Sequence, residues 1–536
     1  MNLIFDLWLQ AFDSKGAITK ISPLEITNLH WSDIHAPRPD FKGSIYQFLI
    51  GLLQTCSPPS HLREWNKWRL TPPAQEKLKE NLIPYKDIFE LHNPQGPAFM
   101  QDFALENAER CPIANLLIDS PGENTIKENR DLFIERGRIE KLCPACAAMA
   151  LFTLQINAPS GGQGHRTSVR GGGPLTTLIV PTNPKSSLWE RLIFNLLPKD
   201  REGDEFPDRK SIFPWLSPTR VSESKSAVTI PLEHAHELQT YWSMPRRIRL
   251  DFDHLKTGRC DLCGDQSSEL ISQYYCKNYG INYTGCWIHS LTPYKMNKDE
   301  PPISFKGQRG GVCYRHWLGL ALGDDKGEKP AHIVKHYGDK LDQMREISHE
   351  PQLWCFGYDM DKMKARCWYE NTLPLFNFDV QNQDSVNEIK NTVRELVEIS
   401  HESFKLLKKC LKAALYGGQY PSKKIELIFI GNEFWGKSES SFYKKIKEIH
   451  RRIDCDGKLT ENHRLEIVKD WLKEIKQLTL ALFDSHALAA TPENLNLEKI
   501  IPVRKYLLKW LRLSEPMNVL WKEIKKYQIK GVSYES

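Results

Sequence analysis

No uninterrupted apolar stretch approaches the ~20 residues a helix needs to cross a bilayer, so nothing in the chain reads as a transmembrane segment. The opening MNLIFDLWLQAF lacks a basic leading region and a cleavage site, and Asp6 interrupts it, so it does not read as a secretory signal. Also missing are H-E-x-x-H, G-x-S-x-G and an H-x-D nuclease pattern, which removes the common signatures of metalloproteases, serine hydrolases and one nuclease class. There is no internal repeat and no low-complexity tract. The 13 cysteines are odd in number and scattered singly, apart from two close pairs. That usage suits a reducing cytoplasm better than a disulfide framework, and a cytoplasmic protein is the expectation.

What is present starts with size. A chain of 536 residues, 40% hydrophobic and 26% charged, is long enough for two or more domains with real cores. The net charge of +6 is unevenly placed: from Phe376 onward there are 28 Lys+Arg against 22 Asp+Glu, while residues 1–375 balance at 45 and 45. A basic C-terminal third fits a nucleic-acid or acidic-protein partner, and a solvated helical surface explains it nearly as well.

Two regions of different character follow. Residues 1–375 are punctuated by Pro, Gly, Asn and Asp; PLTTLIVP and SAVTIPL read as short strands, SIYQFLIGLLQT and CPACAAMALFTLQI as helices. The expected fold class is α+β: a large irregular mixed N-terminal domain over 1–375, followed by a C-terminal four-helix bundle over 376–536. In the latter, Ile389, Val393, Leu396, Val397, Phe404, Leu407 and Leu411 make one apolar stripe at helical spacing. Phe442, Ile446 and Ile449 begin a second, HRLEIVKDWLKEIKQLTLALF gives a third, and KYLLKWLRLSEPMNVLWKEI a fourth, interrupted at Pro516.

The stretch NAPSGGQGHRTSVRGGGPLTT packs six glycines between Gly161 and Gly173, with His165, Arg166 and Arg170 among them. Glycine gives up packing for unusual backbone angles and close backbone approach, so the stretch reads either as a flexible surface loop or as an anion-binding one. It matches neither a Walker loop nor the dinucleotide spacing: no Gly-Lys-Ser lies within it, and Gly162-x-Gly164 is followed three residues on by Thr167. Just upstream stands LCPAC, with Cys143 and Cys146, and far downstream CDLCG, with Cys260 and Cys263. Two Cys-x-x-Cys pairs offer a complete tetrahedral thiolate set, which favours one structural zinc over a redox-active pair. Four protein ligands would leave no open position for a catalytic water. No catalytic set emerges: His92 and Asp102 read as a capped turn, and His316 beside Trp317 as packing.

With these pieces placed, the chain resembles the CasA family, large subunits of type I-E CRISPR Cascade surveillance complexes. The likeness includes NLIFDLWLQAF, FMQD, LCPAC, APSGGQGHRTSVRGGGPLTT, CDLCG, WIHSLTPY, CYRHWLGLAL and GYDMDKMKARCWY, in order, and the helical C-terminus. The resemblance implies a non-catalytic subunit, partnered with guide RNA, other Cascade subunits, double-stranded target DNA and a recruited helicase-nuclease. The guide RNA would read sequence by base pairing, and this chain the short protospacer-adjacent motif, or PAM. By the same resemblance, the glycine loop Ser160, Gly161, Gly162, Gln163 and Gly164 approaches the PAM, with Lys277, or its neighbour Tyr279. A hairpin bearing Asp361, Lys362 and Met363 wedges between the strands. Phe133 and Arg136, in DLFIERGRIEK, face the guide RNA's 5′ handle. The chain departs from the family's pattern in Gln163 and in a lysine, Lys362, where an amide side chain is common. The rival classes are a metal-dependent nuclease or hydrolase, using His92, Asp102 or His316 as base, and a zinc-stabilised protein-interaction scaffold.

Overall fold

The sequence SIYQFLIGLLQT carries an apolar face, which a helix must bury against a core. In the computed structural model it forms the helix Pro39–Cys56, with Pro39 at its first turn and fifteen of its eighteen residues buried. The model describes residues 1–102, 104–132, 134–199, 208–224, 226–339, 351–361, 364–376, 383–416, 427–489 and 496–532. The chain divides into two compact units: Met1–Gly311 with Asp325–Thr372, and Val312–Asp324 with Leu373–Ser536.

In the first unit the core is aromatic. Phe48, on the central helix, meets the rings of Trp8, Phe89, Phe99, Phe152 and Trp242 at centroid separations of 5.7–6.1 Å, all edge-on. Such contacts place the positive ring edge against a negative ring face and add to the area each ring buries. Phe152 comes from a second, largely buried helix, Pro144–Asn157, that packs on the first. Around these helices sit small antiparallel sheets rather than one large one. Thr176–Val180 pairs with Gln352–Asp361, which in turn neighbours Lys364–Pro374. A second sheet places Gln273–Lys277 between Glu109–Pro112 and Arg247–Leu250. Lys256–Arg259 and Gln266–Leu270 form a two-stranded hairpin. The α+β class follows. SAVTIPL is no strand, making only isolated bridges at Thr229 and Pro231; proline has no N–H to donate to a ladder.

In the second unit the described residues form the helices Gln383–Tyr416, Ile428–Asp456, Glu461–Ala487, Leu497–Leu513 and Met517–Val532, packed against one another. Ile389, Val393, Leu396, Leu407, Leu411, Phe442, Ile446 and Ile449 are buried, as their helical spacing requires, while Val397 and Phe404 of the same stripe are half-buried. The last two helices are separate where the sequence stripe breaks at Pro516. This unit also takes in Val312–Asp324, which a single cut near residue 376 leaves with the first unit. Tyr314 explains why: its ring stacks on Phe442 at 4.3 Å and its hydroxyl meets Ser438 Oγ at 3.0 Å.

Candidate metal centre and nucleic-acid interface

Cys143 stands at the N-cap position of the helix Pro144–Asn157, which places Cys146 in its first turn. The other pair sits at the turn of the hairpin Lys256–Arg259/Gln266–Leu270, where the Gly264 N–H donates to Cys260 O and the chain passes through φ +77° at Gly264. The two segments are pinned by backbone bonds: Leu142 and Ile271 exchange N–H···O contacts of 2.9 and 2.8 Å, and the Asp261 carboxylate accepts from the Glu140 and Lys141 amides. All four sulfurs lie within 4.8 Å of one another, three of the cysteines buried. Cys143 Sγ and Cys263 Sγ are 3.7 Å apart. Thiolates at about 2.3 Å from one ion form a tetrahedron with an edge of about 3.8 Å, so the spacing fits a single ion held by four ligands. Thiol hydrogen bonds from Cys143, Cys146 and Cys263 pull Cys260 well below the ordinary thiol range.

The helix that starts at Cys143 ends at Asn157 and delivers the glycine stretch. The Ala158 carbonyl accepts from the Ser168 amide and the Asn157 carbonyl from the Gly173 amide, so the loop leaves and returns at one place. Ser160, Gly162 and Gln163 are exposed. Gly164 is not open: its carbonyl accepts from the Tyr279 amide at 2.8 Å, and a Cβ there would meet Asn278 Cβ at 2.8 Å. Gln163 Nε2 donates to the Tyr279 hydroxyl at 2.9 Å, and the Arg166 guanidinium lies 5.8 Å from the Tyr279 ring centroid. Lys277 stands exposed two residues before Tyr279, at the end of its strand. At the other end of the stretch, Gly173 packs on Tyr358 and Met360 of the strand Gln352–Asp361. One loop therefore touches the segment carrying Lys277 and the strand that ends at Asp361.

Behind the loop lies positive charge whose hydrogen bonds go to neutral groups. Arg170 is buried and donates to Gln47 Oε1, Thr176 Oγ1 and Thr292 Oγ1 at 2.7–3.1 Å; burial pushes its pKa down to about 10. Lys306 Nζ donates to Arg170 O and Ser304 Oγ, and burial lowers it to about 8. Arg246 donates to Pro159 O while its Nη1 is buried and unmatched. Arg246 was not singled out from the sequence; it stands just before the strand Arg247–Leu250, and nothing local marks it.

In the hairpin, Asp359 is buried within its strand and takes a two-pronged contact from Arg366, at 2.6 and 3.0 Å, across to the second strand. Asp361 is exposed at the strand end, with Arg366 Nη1 at 3.4 Å. Lys362 and Met363 lie outside the described residues, as does Phe133. Arg136 is already engaged: its guanidinium grips the Asp131 carboxylate at 2.6 and 2.7 Å and also donates to Ile126 O and Asn129 Oδ1. It closes its own loop, and an RNA phosphate would have to displace Asp131. Lys364 Nζ reaches Thr125 Oγ1 at 3.2 Å, so the hairpin's second strand touches that same loop region.

The residues weighed as general bases are committed elsewhere. His92 stacks on Phe252 at 4.2 Å, while Asp102 is buried in an ion pair with Arg247 at 2.7 Å. His316 Nδ1 accepts from the Cys313 amide, and burial lowers its pKa to about 3. The chain does contain one G-x-x-x-x-G-K-S match, Gly431–Ser438. It lies inside the helix Ile428–Asp456, with Ser438 Oγ donating to Phe434 O at 2.7 Å. A continuous helix spends its amides on its own carbonyls, so these eight residues cannot cradle a phosphate.

Comparison with known proteins adds two findings. Residues 2–482 match the family model described as CRISPR-associated protein Cse1. The fold is similar to that of solved structures of low identity. Thermobifida fusca Cse1 is 15% identical with a TM-score of 0.67, covering 96% of this chain and 98% of that one. Thermus thermophilus CasA is 16% identical with a TM-score of 0.65, covering 95% and 99%. A chain of a CRISPR RNA-guided surveillance complex is 15% identical with a TM-score of 0.60, again covering 95% and 99%.

Proposed function

The chain belongs to the Cse1 family of CRISPR-associated proteins, and from that premise we propose that it is the PAM-reading large subunit of an RNA-guided surveillance complex. The observation that carries this reading is the glycine stretch. It exposes Ser160, Gly162 and Gln163, backs them with Arg170, Arg246 and Lys306, and touches both the Lys277–Tyr279 segment and the strand ending at Asp361.

Each part has a physical role in the proposal. Small residues at the loop tip let backbone amides enter a narrow minor groove, whose degenerate donor pattern suits tolerant reading. Lys277 supplies a phosphate contact that holds register without reading sequence. The hairpin tip, Asp361 to Met363, parts the first base pairs, at a cost of a few kcal/mol per unstacked step. Zinc held by Cys143, Cys146, Cys260 and Cys263 would fix the start of the helix that delivers the loop; its chemistry there is structural. Phe133 and Arg136 face the guide RNA's handle. The C-terminal helices are read as one four-helix bundle whose last member is broken at Pro516, and a helicase-nuclease is recruited to the assembled complex. The subunit itself cleaves nothing.

The test uses the assembled complex with guide RNA. Gly162→Val should weaken binding to PAM-containing duplex about ten-fold, or 1.4 kcal/mol, and leave binding to a pre-opened target unchanged. Equal losses on both substrates would make the loop a folding element and defeat the proposal. Binding to intact duplex should also fall steeply with salt, as phosphate contacts require.

A further inference from the structure

A second sulfur pair lies in the sheet next to the loop. Glu109–Pro112 runs antiparallel to Gln273–Lys277, with Cys111 opposite Tyr274 and Glu109 opposite Cys276. Cys111 and Cys276 are thus diagonal neighbours on one face of the sheet, where side chains of residues two apart point the same way. Their sulfurs are 3.0 Å apart. The Glu109 carboxylate completes a group whose ligand atoms all lie within 4.8 Å of one another.

Distance separates two readings of this pair. Thiolates sharing one ion at about 2.3 Å sit about 3.8 Å apart, the separation that Cys143 and Cys263 nearly match. The Cys111–Cys276 contact is well inside that edge, and three donors leave the ion short of a full set. We infer that Cys111 and Cys276 form a reversible disulfide. Cys276 is half-buried and Cys111 buried, so a peroxide reaches Cys276 first. Its thiolate, the thiol proton having gone to solvent, attacks the peroxide; the O–O bond breaks, hydroxide leaves and takes up that proton as water, and Cys276 becomes a sulfenic acid. The Cys111 sulfur then attacks that sulfur, the S–O bond breaks and water leaves with the remaining protons. Two thiols and one peroxide become one disulfide and two waters, and a small dithiol reverses the change.

The consequence for the loop rests on the function proposed above. Cys276 precedes Lys277 directly, and Tyr279 follows three residues on against Gly164 and Gln163. Closing the sulfurs to a bond of about 2.05 Å moves this strand end by up to about 1 Å. A preorganised contact set loses affinity over such a distance.

Purified full-length protein, treated with hydrogen peroxide and mapped without reduction, should yield a peptide linking Cys111 to Cys276 that dithiothreitol separates. The link should be lost in Cys111→Ser. Oxidation that leaves the two cysteines unlinked in wild-type protein overturns the inference, whatever the variants do. So does a second metal ion per chain that Cys111→Ser removes. In the assembled complex, the oxidised form should bind PAM duplex about five-fold or more weakly, recoverably with dithiothreitol. A mapped link without that loss overturns the coupling. If the reduced protein does not discriminate PAM at all, the proposed function fails while the link stands.

Discussion

The glycine stretch contains two triplets of the same residue with opposite surroundings. In Gly171–Gly173 every position is closed. A Cβ would meet Lys306 Nζ at 2.5 Å from Gly171, Pro159 Cα at 3.0 Å from Gly172, and Met360 Cγ at 2.6 Å from Gly173. In Gly161, Gly162 and Gly164 the space opens toward the tip. A Cβ at Gly162 would meet nothing within 4 Å, and only one at Gly164 would be pressed, against Asn278 and Tyr279. The second triplet is glycine because neighbouring chain occupies the room. For Gly162 no neighbour demands it, and only its φ of +91° disfavours a side chain. Left-handed backbone in open space also occurs at Gly16 and at the helix cap Gly457, so it is the loop's exposure and its neighbours, not the glycine alone, that support the reading proposed above.

The largest disturbance should come from below both triplets. Cys260→Ser removes one of four ligands, and because metal binding contributes directly to folding, the loss should be on the order of several kcal/mol. Elemental analysis should fall from one zinc per chain to none, with a lower Tm. Wild-type protein without metal would sever the cluster from the loop's support. Next, Gly173→Val should cost about 3 kcal/mol or more, since backbone and Met360 must move and φ is +57°. Gly162→Ala should cost only about 1 kcal/mol, from its left-handed backbone alone. Comparing the two in thermal unfolding tests the contrast directly. Similar losses would mean that the tip is packed after all.

Much of this was legible beforehand. The two Cys-x-x-Cys pairs converge because a tetrahedral thiolate set is a strong constraint on any fold, and the apolar helices Pro39–Cys56 and Pro144–Asn157 have no exposed face to misplace. Contacts between remote segments were not legible. Nothing local to Tyr314 says that it stacks on Phe442, nor does Asp359 announce Arg366 as its partner; an aspartate between apolar residues looks like a turn until its cation is seen. The partner of Arg136 was hidden in the same way. Its fork suits phosphate in isolation, and only the fold supplies Asp131. Spacing rules also mislead where they ignore the element they fall on, as the helical Gly431–Ser438 shows.

The smallest expected effect concerns the far side of the closed triplet, where Gly173 abuts the strand running to Asp361. A firm hairpin is what a wedge needs, and the Asp359–Arg366 contact across the strands supplies stiffness near its end. Lys362, next after Asp361, offers an aliphatic stem to lie beside a displaced base pair and an ammonium to reach a phosphate. A single exposed charge contributes at most about 1 kcal/mol, so Lys362→Ala should slow opening of intact duplex by roughly five-fold or less. The salt slope of the opening rate should fall by about one phosphate's share. On a target already mismatched beside the PAM the rate should return to the wild-type value, because the opening cost has been removed in advance. A variant equally slow on both targets would take Lys362 out of the wedge and leave duplex contact in the proposal to the open triplet and Lys277.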